Sequence, residues 1–273
     1  MKTFKAVQTI AAGLCMTLAS TALVAETLDN VLAGEHRSQA VARDEFRNPA
    51  ETLQFFGIEP DMTVVEIWPG GGWYTEILAP YLRDNGTFYA AHFDPATDVE
   101  YFKRSLDNYA SKLAANPELY DQVKMTVFNP PANTEIAPAG SADLVVTFRN
   151  AHNWYMRGGG EEKLVASFAT IYKALKPGGV LGLVDHRLPE DRPDSDQEQS
   201  GYIKQSVVVS AAEKAGFTLA ASSDINANPK DTADHKSGVW TLPPSLREGD
   251  TDREKYLAIG ESDRMTLKFV KPE

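Results

Sequence analysis

The chain has 273 residues, and its 27 Lys+Arg against 38 Asp+Glu give a net charge of −11. Such an acidic balance argues against a nucleic-acid partner, because binding a phosphate backbone needs a basic face. Its one cysteine, Cys15, excludes a disulfide within the chain.

Lys2 and Lys5 precede an apolar stretch from Ala6 to Ala19, and small residues follow at Ser20, Thr21, Ala22 and Ala25. This pattern predicts a secretory signal peptide over 1–25, cleaved after Ala25 or, alternatively, after Ala22; the run is short for a membrane span. Leu14 is not the small residue expected before a lipid-modified cysteine, so Cys15 reads as a passenger. Without the signal the balance is 25 basic against 38 acidic residues, or −13, and no cysteine is left. The expected location is the periplasm or the outside of the cell, and the expected organisation is one large domain, or one with an insertion.

Residues 26–60 read as a helical preface. Asn30 to Ala33 is one short turn, and Arg37 to Phe46 is charged and helical. Asn48-Pro49 supplies a cap residue and a first-turn proline, so a helix should run from Pro49 to near Gly57. Arg43, Asp44 and Arg47 could reach a site at the mouth of the next segment, but a solvated helical face is the favoured reading.

Val64 to Ile67 is apolar and β-branched enough for a buried parallel strand. Pro69 and the glycines at 70–72 must end it, and Trp73, Ile77, Leu78 and Leu82 recur at helical spacing. A strand, a glycine turn and a helix in this order let backbone N–H groups approach a ligand. Glu66 sits in the strand just before the turn, where its carboxylate could hold loop N–H groups or a ligand amine.

The pattern Glu66-x-Trp68-x-Gly70-x-Gly72 resembles the first motif of class I S-adenosylmethionine-dependent methyltransferases, with Trp68 at the position of the first glycine. The run EIWPGGGWYTEIL resembles that of a group of exported bacterial proteins described as predicted methyltransferases. The resemblance implies a domain over 61–273 that binds S-adenosylmethionine, with Glu66, Trp68, Gly70, Gly72 and Tyr74 on the cofactor side. Gly86 to Asp94 is the second strand, at whose end the family places an acid on the ribose hydroxyls. His92 falls about there and Asp94 two residues later; Asp94 is preferred because a carboxylate accepts from both hydroxyls, though Asp94-Pro95 also reads as a simple turn.

Asp98 to Ala115 is expected as a helix with Tyr101, Phe102, Leu106, Tyr109 and Leu113 on one side, and Val123 to Phe128 as a third strand. Asn129 follows where the family's loop borders the adenine ring. Ala142 to Phe148 is the fourth strand, ending in Arg149-Asn150-Ala151-His152-Asn153-Trp154. Ligands of open α/β sheets sit beyond the carboxyl ends of strands, so this polar cluster should lie beside the glycine turn. It resembles the family segment that faces the methyl group. His152 could act as a general base or be a structural histidine, Asn150 could orient the substrate, and Arg149 is placed with the cofactor set.

Glu161 to Leu175 is a helix, and Leu175-Lys176-Pro177-Gly178-Gly179 before Val180 to Val184 closely resembles the family's entry into strand five. That strand ends in Asp185-His186-Arg187, from which Asp185 or His186 could join the site. Tyr202 to Ala215 is a helix, Phe217 to Ile225 the sixth strand and Arg264 to Val270 the last. The segment 226–261 is too long for the usual hairpin and reads as a lid-like insertion. Its His235 and Asp234 stand at no metal-ligand spacing, so no metal is expected.

The alternation predicts an α/β fold: a Rossmann-like, seven-stranded, mostly parallel sheet with helices on both faces and an antiparallel last strand. The function expected is an exported methyltransferase for a small-molecule acceptor. A non-catalytic ligand-binding protein on the same fold stays open, as does a hydrolase using His152 and a carboxylate, although no Gly-x-Ser-x-Gly elbow exists in the chain. Nothing in the residues fixes an oligomeric state.

Overall fold

The computed structural model describes residues 27–273; the expected signal peptide, Cys15 included, lies outside the described residues. Short helices α1 (Leu28–Leu32), α2 (Asp44–Arg47) and α3 (Pro49–Phe56) open the chain. Then come β1 (Thr63–Ile67), α4 (Thr75–Leu82), β2 (Thr87–His92), α5 (Glu100–Ala115), α6 (Pro117–Tyr120), β3 (Lys124–Val127) and β4 (Ala142–Phe148). The second half adds α7 (Ala151–Tyr155), α8 (Gly160–Ala174), β5 (Leu175–Leu188), β6 (Ile203–Lys204), α9 (Gln205–Lys214), β7 (Thr218–Ser223), α10 (Arg253–Ile259) and β8 (Arg264–Val270).

The main sheet runs β3-β2-β1-β4-β5-β8-β7, with β8 antiparallel to both neighbours. A seven-stranded, mostly parallel sheet with an antiparallel last strand is what was expected. The two-residue β6 is an addition: it pairs in parallel with the far end of β5, Arg187 opposite Ile203, where a continuous helix from Tyr202 was expected. Alternate residues of the central strands feed two apolar layers, as a two-sided parallel sheet requires. Val65, Ile67 and Val145 face a layer with Trp154, Leu164, Phe168 and Ile171. Val64, Leu144 and Val146 face Leu53, Phe56, Ile77, Leu78 and Tyr109. Gly182 in β5 makes room for α3: a Cβ there would stand 2.5 Å from the Phe56 ring.

The preface differs from its sequence reading. Arg37 to Phe46 is broken into two 3-10 turns, Glu35–Arg37 and Val41–Arg43, before α2. Its face is not solvated. Arg37 and Arg47 are buried, Arg37 pairs with Asp44 at 2.7 Å, and both guanidiniums lie over the Trp73 ring. Helical periodicity cannot separate a charged face that meets water from one that meets opposite charge and an aromatic ring. Asn48 precedes α3 as expected but in a left-handed conformation, and its amide bonds the carbonyl of Ile225 rather than capping the helix. The segment 226–261 is pinned at Asp231, which accepts from the Tyr202 hydroxyl, from His235 and from the backbone N–H of Asp263. Among the described residues no helix is long and apolar enough to cross a membrane.

Candidate functional site at the carboxyl edge of the sheet

Glu66, near the end of β1, is 2% exposed. Its Oε2 accepts from the Thr75 hydroxyl at 2.7 Å, and Thr75 in turn lies 3.0 Å from the Tyr109 hydroxyl. Burial pushes the Glu66 carboxyl up to about 7, against the pull of Thr75, Lys112 and Arg149. Glu66 therefore ties β1 to the start of α4 and to α5, beneath the glycine turn.

The turn takes three left-handed residues: Trp68 (φ 46°), Gly70 (φ 59°) and Gly72 (φ 76°). Trp68 thus adopts, with a bulky side chain, a backbone conformation that glycine takes freely. A Cβ on Gly70 or Gly71 would meet nothing within 4 Å, so the backbone there is open to a guest. At Gly72 a Cβ would stand 3.0 Å from the Tyr109 ring, and that glycine serves packing. The following helix begins at Thr75, later than the spacing of Trp73 suggested, because Trp73 turns back onto Arg37 and Arg47.

The side chains expected around the nucleoside are well bonded already. The Trp68 indole donates to the carbonyl of Phe128 at 2.9 Å and lies in a box of Phe93, Phe102, Phe128 and Trp154, ring centroids 4.8–6.1 Å away. His92 is buried; its Nδ1 accepts from the N–H of Phe93 at 2.7 Å, which leaves Nε2 to donate to the carbonyl of Gly70 at 3.2 Å. Burial holds its imidazole down at about 4, hence neutral. Asp94 accepts from Ala96 N–H and from the amides of Asn129 and Asn133. Tyr74 stacks on Phe148, centroids 3.4 Å apart.

Beyond β4, Asn150 gives its amide nitrogen to the carbonyl of Ile67 at 2.9 Å and to the Thr147 hydroxyl at 3.2 Å, which locks the ends of β1 and β4 together. His152 lies on α7 and Asp185 in β5, brought together by the β4–β5 pairing. Asp185 is fully buried: Oδ1 takes His152 Nδ1 at 2.7 Å, Oδ2 takes the His152 backbone N–H at 3.1 Å, and Oδ1 also takes the His186 N–H at 2.7 Å. The carboxylate fixes the tautomer that carries its proton on Nδ1 and leaves the Nε2 lone pair of His152 free to accept a proton. The His186 ring lies 5.1 Å from that of His152, and its Nδ1 is 2.5 Å from the Ser262 hydroxyl. Burial, with the nearby His152 and Arg264, Arg149 and Arg47, pushes His186 well down, so it is neutral.

His152, Asp185 and His186, expected at neighbouring strand ends, bring one metal-ligating atom each within 4.8 Å of one another, a donor set that the sequence reading had not considered for a metal. Asp185 and His152 Nδ1 already satisfy each other there, and three guanidiniums act on the neighbouring His186, which disfavours a cation.

Sequence reasoning also missed a set of charges beside these histidines. Arg264 pairs in register with His186 across β5 and β8. Its guanidinium, with those of Arg43 and Arg47, converges on Glu261 at the end of the insertion, and the half-buried Arg149 stands nearby. The available signal was weak: an Arg opening the last strand, and an Arg-rich preface already suspected of reaching the site.

No family model and no curated protein sequence matches the chain. Solved structures do. A SAM-dependent methyltransferase from Aquifex aeolicus superposes with a TM-score of 0.55 at 14% identity, over 86% of this chain and 97% of that one. The cyclase SpnF gives 0.54 at 15%, over 83% and 80%. A possible exported protein from Bordetella parapertussis gives 0.50 at 14%, over 85% and 68%. The chain therefore has the class I methyltransferase fold. At these identities the likeness stops at the fold, and the presence of a cyclase among the neighbours shows that the fold alone does not fix a reaction.

Proposed function

We propose that the protein is an exported, S-adenosylmethionine-dependent methyltransferase acting on a small molecule. The observation that carries this reading is the His152–Asp185 pair at the carboxyl edge of β4 and β5, one strand from an open glycine turn. The turn fits the amino-acid end of the cofactor, because Gly70 and Gly71 leave room at their Cα atoms and Glu66 lies beneath. Glu66, Trp68, Gly70, Gly72, Tyr74, His92, Asp94, Asn129 and Arg149 are the residues proposed to surround it. When bound, its sulfonium supplies a methyl cation equivalent. The chain then has two tasks: to hold an acceptor oxygen or nitrogen in line with that methyl, and to take up the proton the acceptor loses. His152 Nε2 receives that proton, Asp185 stabilises the resulting imidazolium, and Asn150 and His186 border the acceptor.

Isothermal titration with S-adenosylmethionine and S-adenosylhomocysteine tests the reading; saturable binding of both is expected, and binding of neither sinks it. A second reading, a non-catalytic ligand-binding protein, draws on the Trp68 indole in its aromatic box and on His92, whose two ring nitrogens are both engaged. Trp68→Gly separates the two. If the indole stands in the nucleoside's place, the variant binds S-adenosylhomocysteine about tenfold tighter or more; if the indole is part of the cofactor site, it binds more weakly. Export is tested by mass spectrometry of the native protein, with a mature N-terminus at Glu26 or Leu23 expected and an intact Met1 in a cytoplasmic fraction excluding it.

A further inference from the structure

Four guanidiniums and one carboxylate meet at the carboxyl edge of β4 and β5. Arg43 Nε lies 2.5 Å from Glu261 Oε1, and Arg264 Nη2 pairs with Glu261 Oε2. Arg47 Nε lies 3.5 Å from the same oxygen, and neither its Nε nor its Nη1 makes a hydrogen bond. Arg264 Nε is likewise buried and unbonded. The side chains of Arg47 and Arg264 are each 3% exposed. Among the described residues, the Arg149 guanidinium has no hydrogen-bond or ion-pair partner, and its backbone is held left-handed at φ 62°.

Two of these guanidiniums, Arg47 and Arg264, are buried and share the single carboxylate of Glu261 with the partly exposed Arg43, while half-buried Arg149 stands at their edge. A buried charge without a partner is among the most expensive features of a fold. Burial and the neighbouring Arg149 push Arg47 down to about 8, yet a guanidinium does not readily give up its proton. We infer that Arg47, Arg149 and Arg264 form a binding site for the anionic group, carboxylate or phosphate, of a small-molecule ligand. Planar forks of N–H donors match either anion in pairs of parallel hydrogen bonds. Half-buried Arg149 is the side of entry. The group would be seated beside His186, which pairs with Arg264 in the sheet, and hence beside the proposed proton acceptor His152. The anion site stands apart from the methyl-transfer reading; only its assignment to a methyl acceptor rests on that reading. The same chemistry could belong to the cofactor's own α-carboxylate.

Titration of the purified protein with inorganic phosphate and with citrate, at ionic strength matched by chloride, tests the site. Saturable binding is expected, weakened about tenfold or more in Arg149→Gln, the scale of one lost charge-assisted hydrogen bond. Arg149 holds no ion pair, so this variant should fold; Arg47→Gln gives an independent second reading. No saturable binding of either anion, or equal affinity in the wild type and both variants, overturns the proposal. A second arm compares S-adenosylhomocysteine with its decarboxylated analogue. If phosphate competes with the former, and Arg149→Gln erases the difference between the two, the site holds the cofactor's carboxylate. If phosphate and S-adenosylhomocysteine bind together, it holds the acceptor's anion. Phosphate binding without any binding of S-adenosylhomocysteine would keep the anion site and remove the methyltransferase.

Discussion

Glu66 and His92 sit under the same turn and have opposite pH signatures. The Glu66 carboxyl is raised by burial to about 7 from an unfolded value of 4.5, so between these pH values the folded state binds the extra proton and stability falls as pH rises. His92 is lowered by burial from 6.5 to about 4, so over that range the unfolded state binds the extra proton and stability rises with pH. The two largely offset in the wild type. Glu66→Gln keeps a neutral acceptor for Thr75 and removes only the first effect. The variant should gain on the wild type as pH rises from 4.5 to 7, by about 3 kcal/mol at most, and hold that lead above 7. Urea unfolding at several pH values measures this, and a lead that does not change with pH would mean that Glu66 ionises normally. His152 makes a kinetic prediction. On the proposed reading, which puts its free nitrogen on the acceptor side, His152→Ala should lower turnover by about 10²-fold or more while leaving cofactor affinity nearly unchanged. Wild-type turnover in that variant would move the proton acceptor elsewhere.

At the scale of elements, α3 lies on the sheet through Leu53 and through a close fit of the Phe56 ring on Gly182. A Cβ on Gly182 would stand 2.5 Å from that ring, and Phe56 is fully buried among Leu53, Val146 and Val184. Gly182→Val should therefore destabilise by about 1–3 kcal/mol in urea unfolding, the usual range for overpacking, and a neutral result would show that α3 shifts freely. Such elements were legible in the sequence for a plain reason. A two-sided parallel strand is a run of apolar, β-branched residues closed by Gly or Pro, and β4 and β8 occupy the residues read for them, 142–148 and 264–270. Boundaries that rest on capping were less legible. The start of α4 slipped because Trp73 is claimed by two arginines, and the expected helix from Tyr202 gave up its first residues to pairing with β5.

At the scale of the whole molecule, what the sequence could not show is which distant segments meet. The carboxyl edges of β1, β4 and β5 were placed by topology, and with them Glu66, Asn150, His152 and His186. Arg43 and Glu261 are 218 residues apart, and neither belongs to a motif. Glu261 is the joint of the structure: its carboxylate gathers Arg43 and Arg47 from the preface and Arg264 from β8, so that the ends of the chain close over the centre. Burial raises its carboxyl, but Arg264, Arg47 and Arg43 outweigh burial and hold it at about 2. A carboxyl depressed in this way contributes stability that is present above its unfolded value of 4.5 and lost as pH falls through about 2. Glu261→Gln keeps the shape, removes the charge and leaves the guanidiniums without an anion. At pH 7 it should destabilise by about 3–5 kcal/mol, the cost of breaking a buried ion pair from one side. The gap to the wild type should stay level down to about pH 4.5 and then close toward pH 2. Denaturant unfolding across that range decides the matter: a loss below about 1 kcal/mol, or a gap that persists at pH 2, would mean that the guanidiniums are balanced from elsewhere and that the preface is held by its apolar contacts alone.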